Sequence, residues 1–141
     1  MLLLFAALTA GMTWPQARRP GLVSDLGDPL LSIWRLAWVA DQVVRDPVHL
    51  FDANIFYPER HTLAYSDAML VPALAAAPLF WAGLHPVHIY TLVLLAAFAL
   101  SDAAMCALVG SLTGSRGAGV VAGILFAFCP YRFDHYSHLE L

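Results

Sequence analysis

Residues 89–112 read IYTLVLLAAFALSDAAMCALVGSL, TGSRG follows at 113–117, and AGVVAGILFAFCP occupies 118–130. The first run contains a single carboxylate, Asp102, and it exceeds the roughly 20 apolar residues a helix needs to cross a bilayer. The glycines and serine of the short polar segment supply a turn. Residues 87–130 are therefore expected to form a transmembrane helical hairpin.

The rest of the chain agrees with a membrane setting. Of its 141 residues 60% are hydrophobic and 12% charged, whereas soluble domains carry about a quarter charged residues. No charge falls between Ala68 and Leu84 or between Ile89 and Ser101. Residues 68–84 contain Pro72 and Pro78 and would extend only about 25 Å as a helix, which predicts a short or re-entrant membrane helix. The opening run MLLLFAALTAGMTW is shorter than a span and has no basic residue before it, so residues 1–14 are expected to be a truncated transmembrane anchor. The closing HLEL carries no turn or cap, and a longer protein is expected.

Between the anchor and residue 67 the composition changes. Six carboxylates, Asp25, Asp28, Asp41, Asp46, Asp52 and Glu59, mix with five arginines and several aromatics, so residues 15–67 read as a long extracytoplasmic loop. Within it Gly27-Asp28-Pro29 marks a helix start, because aspartate caps free N–H groups and an early proline sacrifices no hydrogen bond. Asp46-Pro47 marks its end. The expected helix, 29–45, places Leu30, Ile33, Trp34, Ala37 and Trp38 on one side and Ser32, Arg35, Asp41, Gln42 and Arg45 among the polar positions. That pattern suits an amphipathic helix lying on the membrane surface. Residues 48–67 lack periodicity but hold four aromatics, and they read as an ordered loop packed on that helix.

The fold class expected is thus all-α, with polytopic transmembrane helices and a long first loop. All seven basic residues are arginines and none form a run, which speaks against nucleic acid as a partner. Cys106 and Cys129 lie in apolar stretches and read as small hydrophobes. Arg116 in the hairpin turn argues for a cytoplasmic turn under the positive-inside rule. Residues 131–141, PYRFDHYSHLEL with its leading proline, would then begin the next outer segment.

Two polar groups would converge on the outer face: Asp25 and Asp28 after the anchor, and Arg132, Asp134, His135, His138 and Glu140 at the end. Carboxylates there serve as a general base or hold a divalent cation, and an arginine clamps a phosphate bidentately. The bland readings are a helix cap for Asp28, a solvated charge for Asp25 and an interfacial anchor for Arg132. His135 and His138, three apart, fall short of the ligand set a metal site needs. Asp102, inside a span, reads as hydrogen-bonded to a neighbouring helix or as part of a proton path.

The order of these features resembles the N-terminal part of GT-C integral membrane glycosyltransferases. The likeness runs through DLGDPLLSIWRLAW, HLFDANIFYPERHTLAYSD, LTGSRGAGVVAGILFAFCPYRF and SHLEL, and it is strongest toward large bacterial membrane proteins of that superfamily. FDANIFYPER and GAGVVAGILFAFCPYR are more distantly similar to the catalytic subunit of oligosaccharyltransferase. The resemblance implies transfer of a sugar from a polyprenyl-phosphate-linked donor to an acceptor on the outer face of a bacterial cytoplasmic membrane. Asp28 best matches the first-loop catalytic aspartate, with Asp25 second. Arg132, Asp134, His138 and Glu140 would contribute to substrate binding, with a divalent cation as a candidate cofactor. The two-carboxylate pair that opens the first loop in some relatives of this class is absent, since Asp28 is followed by proline. The competing expectation is a non-catalytic multi-pass protein, a lipid or polysaccharide transporter subunit in which Asp28 only caps a helix.

Overall fold

The computed structural model describes residues 2–139, and every regular element among them is helical. α1 (Leu2–Met12) and α2 (Trp14–Arg18) form an almost continuous helix. Thr13 N donates to the Thr9 carbonyl at 2.9 Å and Ala17 N to the Thr13 carbonyl at 2.9 Å, so the hydrogen-bond ladder passes through the junction. Pro15 falls in the first turn of α2, where a missing N–H costs nothing. The first helix thus continues beyond Trp14, and the loop expected from residue 15 begins after Arg18.

α3 (Asp28–Arg45) opens after Gly27 and ends at Asp46, ahead of Pro47. Its packing differs from the one-sided amphipathic helix expected. Pro29, Ser32, Arg35, Leu36, Val39 and Ala40 are buried, whereas Leu30 and Leu31 are exposed. Ile33, Trp34 and Trp38 pack against the core from a second flank. The reason is tertiary: the following loop covers the tryptophan side and α4 (Leu70–Trp81) covers the other. Trp38 Nε1 donates to the Leu50 carbonyl at 2.9 Å and Trp34 Nε1 to Asn54 Oδ1 at 3.2 Å, which ties the loop down. On the opposite flank, Trp81 Nε1 donates to the Ala40 carbonyl at 2.9 Å. Arg35, 4% exposed, donates to Ser66 Oγ at 2.7 Å.

The loop contains 3-10 turns at Pro47–His49 and Thr62–Tyr65. His61 N donates to Asp52 Oδ1 at 2.8 Å and Thr62 Oγ1 to the Ala53 carbonyl at 3.0 Å, so the segment is internally ordered. α4 has 12 residues, about 18 Å of helix, too short to cross a bilayer.

α5 (Pro86–Thr113) is the central post. It has 28 residues, its best window has a mean hydropathy of 2.3, and only 22% of that window is buried. It is long and apolar enough to cross a membrane, and among the described residues it is the one helix that is. The return helix α6 (Arg116–Ala127), started by Ser115 Oγ accepting from Ala118 N at 3.2 Å, has 12 residues and stops before Cys129-Pro130. The hairpin is therefore unequal. Its second arm covers about 18 Å of α5, and the chain then enters a short helix, α7 (Pro130–Asp134).

Glycines set how closely the arms meet. A Cβ at Gly119 would lie 2.5 Å from the Cys106 carbonyl oxygen, and one at Gly123 would lie 2.8 Å from that of Asp102. Gly119 and Gly123 are spaced four apart, the pattern that lets helix backbones approach in membranes. The ring of Phe5, fully buried, fills the space beside Gly123 and brings α1 onto the pair. At its other end α5 is wrapped by α2, α3 and α4 around a core that includes Leu36, Val39, Met69, Ala73, Tyr90 and Leu94.

Candidate functional site

The loop before α3 carries the two aspartates in different roles. Asp25 closes the turn: its Oδ1 accepts from Gly27 N at 2.7 Å, and Ser24 Oγ donates to Oδ2 at 3.4 Å. Asp28, the first residue of α3, makes no cap hydrogen bond, since Gly27 occupies the cap position. Its carboxylate instead lies 3.2 Å from His138 Nε2, with the two side chains 51% and 32% exposed. The cap explanation of Asp28 therefore gives way to a partner 110 residues distant.

The terminal segment reaches Asp28 because it folds back along α5. Tyr90 Oη donates to the Ser137 carbonyl at 2.9 Å and so fixes the residue beside His138. Phe133 and Tyr136 pack on Phe98 with ring centroids 6.3 and 5.7 Å away. His135 Nδ1 donates to the Tyr131 carbonyl at 2.9 Å, and its ring centroid lies 5.6 Å from that of His138. Burial pushes the Tyr136 phenol above its ordinary pKa, and the neighbouring Thr13 side chain partly offsets this.

Arg132 lies deeper than a headgroup clamp. Its guanidinium carbon stands 4.4 Å over the Phe98 ring and 5.7 Å from that of Phe126, a double cation–π contact. Its Nη1 is buried and has no hydrogen-bond partner among the described residues. Both carboxylate oxygens of fully buried Asp102 likewise have no hydrogen-bond partner among the described residues. Arg132, His135 and His138 share a cavity of about 20 Å³ with Leu94 and Phe98, room for about one water molecule.

The fold thus gathers Asp28, His138, His135 and Arg132 along one flank of α5. Asp25 is close in sequence but engaged in its own turn, and Asp134 is exposed at the end of α7. Glu140 lies outside the described residues. Among the described residues, no three His, Cys, Asp or Glu side chains converge to hold a metal ion.

A second feature escapes the sequence. Where α2 ends, a cleft of about 630 Å³ opens between Trp14–Ser24 and the ring edges of Phe133 and Tyr136, with Arg18 and Arg19 in its lining. Gln16 holds this wall in place: its Nε2 donates to the Leu22 carbonyl at 2.6 Å and to Thr91 Oγ1 at 2.9 Å, and Thr91 Oγ1 donates to the Pro20 carbonyl at 2.9 Å. The adjacent arginines following a tryptophan were the available signal, but they read as loop charge while α2 was unrecognised. No protein-family profile, curated protein or solved structure matches the chain.

Proposed function

We propose that this chain supplies the outer-face part of a GT-C-type glycosyltransferase in a bacterial cytoplasmic membrane, moving a sugar from a polyprenyl-phosphate-linked donor to an acceptor. The observation that carries the reading is the 3.2 Å contact between Asp28 and His138. It joins the first loop to the segment after the hairpin, the convergence that a shared outer site requires. Membrane residence is supported by the outward apolar surface of α5, where Leu92, Leu100, Leu108 and Leu112 are 48–77% exposed; such a surface is stable in hydrocarbon and unfavourable in water.

In the mechanism, Asp28 accepts the proton of the acceptor hydroxyl. The freed oxygen pair forms a bond to the anomeric carbon as the bond from that carbon to the lipid phosphate oxygen breaks. The departing phosphate keeps the bonding electrons. His138, within hydrogen-bond reach of Asp28, is a positioning residue that orients the carboxylate. Asp28→Asn in the complete protein is expected to lower transfer from a polyprenyl-linked donor by at least a hundredfold, with the helical circular dichroism unchanged. Undiminished transfer by a correctly folded variant would remove Asp28 from this role.

A second reading, a lipid or polysaccharide transporter subunit, is favoured by one observation, the fully buried Asp102 whose oxygens have no hydrogen-bond partner among the described residues. Buried ionisable groups within spans commonly serve transport paths. Asp102→Asn separates the two readings, since it would abolish transport in the second and leave sugar transfer intact in the first.

A further inference from the structure

The cleft beside α2 changes character along α5. Phe133 and Tyr136, which pack on Phe98 of α5, line one part of it, while Gln16 in another part of its wall is bonded to Thr91. Seven residues of helix separate Thr91 from Phe98, about 10 Å along α5. The aromatic part is therefore level with the apolar middle of the helix and the Gln16 part with its more polar section near Pro86. Met12, Leu22 and Val23 continue the apolar lining, and Arg18 and Arg19 add two positive charges.

Neither arginine has an ion pair among the described residues. Arg18 lies with its guanidinium 5.8 Å from the Trp14 ring centroid, and both side chains are exposed. The nearest loop acid, Asp25, is occupied by Gly27 N and Ser24 Oγ. Two arginines without an ion pair among the described residues, beside an apolar trough, match one kind of occupant: an amphiphile whose anionic head bonds the guanidinium forks and whose chain lies along the aromatic wall.

We infer that this cleft binds a phosphate-headed membrane lipid, with Arg18 and Arg19 as the phosphate clamp and the Phe133–Tyr136 wall as the chain site. The inference does not depend on sugar transfer. A bilayer phosphatidic acid and a prenyl phosphate present the same phosphate monoester, and both satisfy the geometry.

The test is native mass spectrometry of the full chain released from nanodiscs, with dioleoyl phosphatidic acid, a long-chain prenyl phosphate or dioleoyl phosphatidylcholine as the added lipid, and inorganic phosphate as a soluble competitor. Wild type is expected to retain one phosphate-monoester lipid and not the choline lipid. The double variant R18Q/R19Q should lose about tenfold in retention per arginine removed. R45Q/R60Q, which removes the same charge from exposed positions at the end of α3 and in the loop that follows, should bind as wild type does. Preference for the prenyl over the diacyl phosphate would identify the site as the donor's, and equal retention would identify it as a bilayer-lipid site. The inference is overturned if R18Q/R19Q binds normally with wild-type helicity, or if both double variants lose binding equally. Displacement by millimolar inorganic phosphate would assign the clamp to a soluble anion, and a lipid-free dimer closed across the cleft would assign the surface to a second copy; either result overturns it too.

Discussion

Gly119→Ala should destabilise the protein although it replaces the poorer helix former with the best one. Alanine in a helix interior is worth up to about 1 kcal/mol over glycine. At position 119, however, the added Cβ would lie 2.5 Å from the Cys106 carbonyl oxygen and 3.2 Å from Gly110 N, both backbone atoms. Backbone has no rotamer to yield, so α5 and α6 must separate by about 0.5 Å or more, a gap that forfeits a quarter or more of the dispersion energy along the seam. Overpacking of this kind costs about 1–3 kcal/mol, and at the upper end of that range a net loss of about 2 kcal/mol remains after the propensity gain. For a chain of this length that is a fall in Tm of about 7 °C. Two controls use the same chemical change. A Cβ at Gly11 meets nothing within 4 Å, and one at Gly117 meets only Ser115 Oγ at 3.9 Å, so alanine at either position should leave Tm unchanged or raise it by a few degrees. Thermal melts of the three variants followed by circular dichroism in one detergent measure the contrast. A Gly119→Ala protein as stable as wild type would refute the close-packed seam.

Gln16→Leu removes an amide that donates at 2.6 Å to the Leu22 carbonyl and at 2.9 Å to Thr91 Oγ1. It should lower stability by about 1–3 kcal/mol through the acceptors left unpaired, and an unaltered melting curve would show that the polar clamp between α2 and α5 contributes nothing. Topology can be read with single cysteines placed in a background lacking Cys106 and Cys129. Val48→Cys, at a site 85% exposed, and Arg116→Cys, at the hairpin turn, should label from opposite sides of the membrane with an impermeant maleimide. Labelling of both from the same side would contradict α5 as a span.

The parts of this fold that the sequence discloses are those governed by local chemistry. The long post was expected over 87–112 and runs Pro86–Thr113; the loop helix was expected over 29–45 and runs Asp28–Arg45. Apolar length and proline punctuation decide both. The buried face of α3 was not legible, because Arg35 goes inside only where Met69, just before α4, and Ser66 of the preceding loop receive its guanidinium. α2 was hidden by the change to polar composition after Trp14, which marks the end of an apolar run but not the end of a helix, since a proline such as Pro15 is compatible with a helix's first turn. The short reach of α6 was hidden too, since hydropathy runs on to Cys129 while the backbone turns at Phe128. Gly119 and Gly123 stood in plain view, but an apolar tally counts residues and does not weigh the absence of a Cβ. For the site, the placement of Asp28 near the terminal segment follows from the direction of the hairpin. The choice of His138 as its partner, and the depth of Arg132, depend on how the last ten residues fold back on α5, and no periodicity encodes that.

The length of α5 explains where such a site would sit. Its 28 residues make about 42 Å of helix against a hydrocarbon core of about 30 Å. If the inner end is taken up by hydrocarbon, about 12 Å, or eight residues, stand clear on the outer side. That stretch, Pro86 to Val93, is where the helix changes character: Ile89, Tyr90 and Thr91 are buried by protein, and Tyr90 and Thr91 enter hydrogen bonds with Ser137, Gln16 and Pro20. Leu92, about half exposed, stands at its inner edge, and the exposed Leu100, Leu108 and Leu112 lie beyond it. His138, the partner of Asp28, lines a small cavity with Leu94 and follows Ser137, whose carbonyl Tyr90 holds, at the step between the two zones. Under the proposed reaction, a carboxylate at that level would face water on one side, from which an acceptor hydroxyl would arrive, and the headgroup layer on the other, where a lipid-borne phosphate would be confined. One turn deeper the same group would pay the desolvation cost of a charge in hydrocarbon, and one turn higher it would lose contact with the lipid. The surplus length of a single helix thereby sets the level at which the two substrates of the proposed reaction can meet.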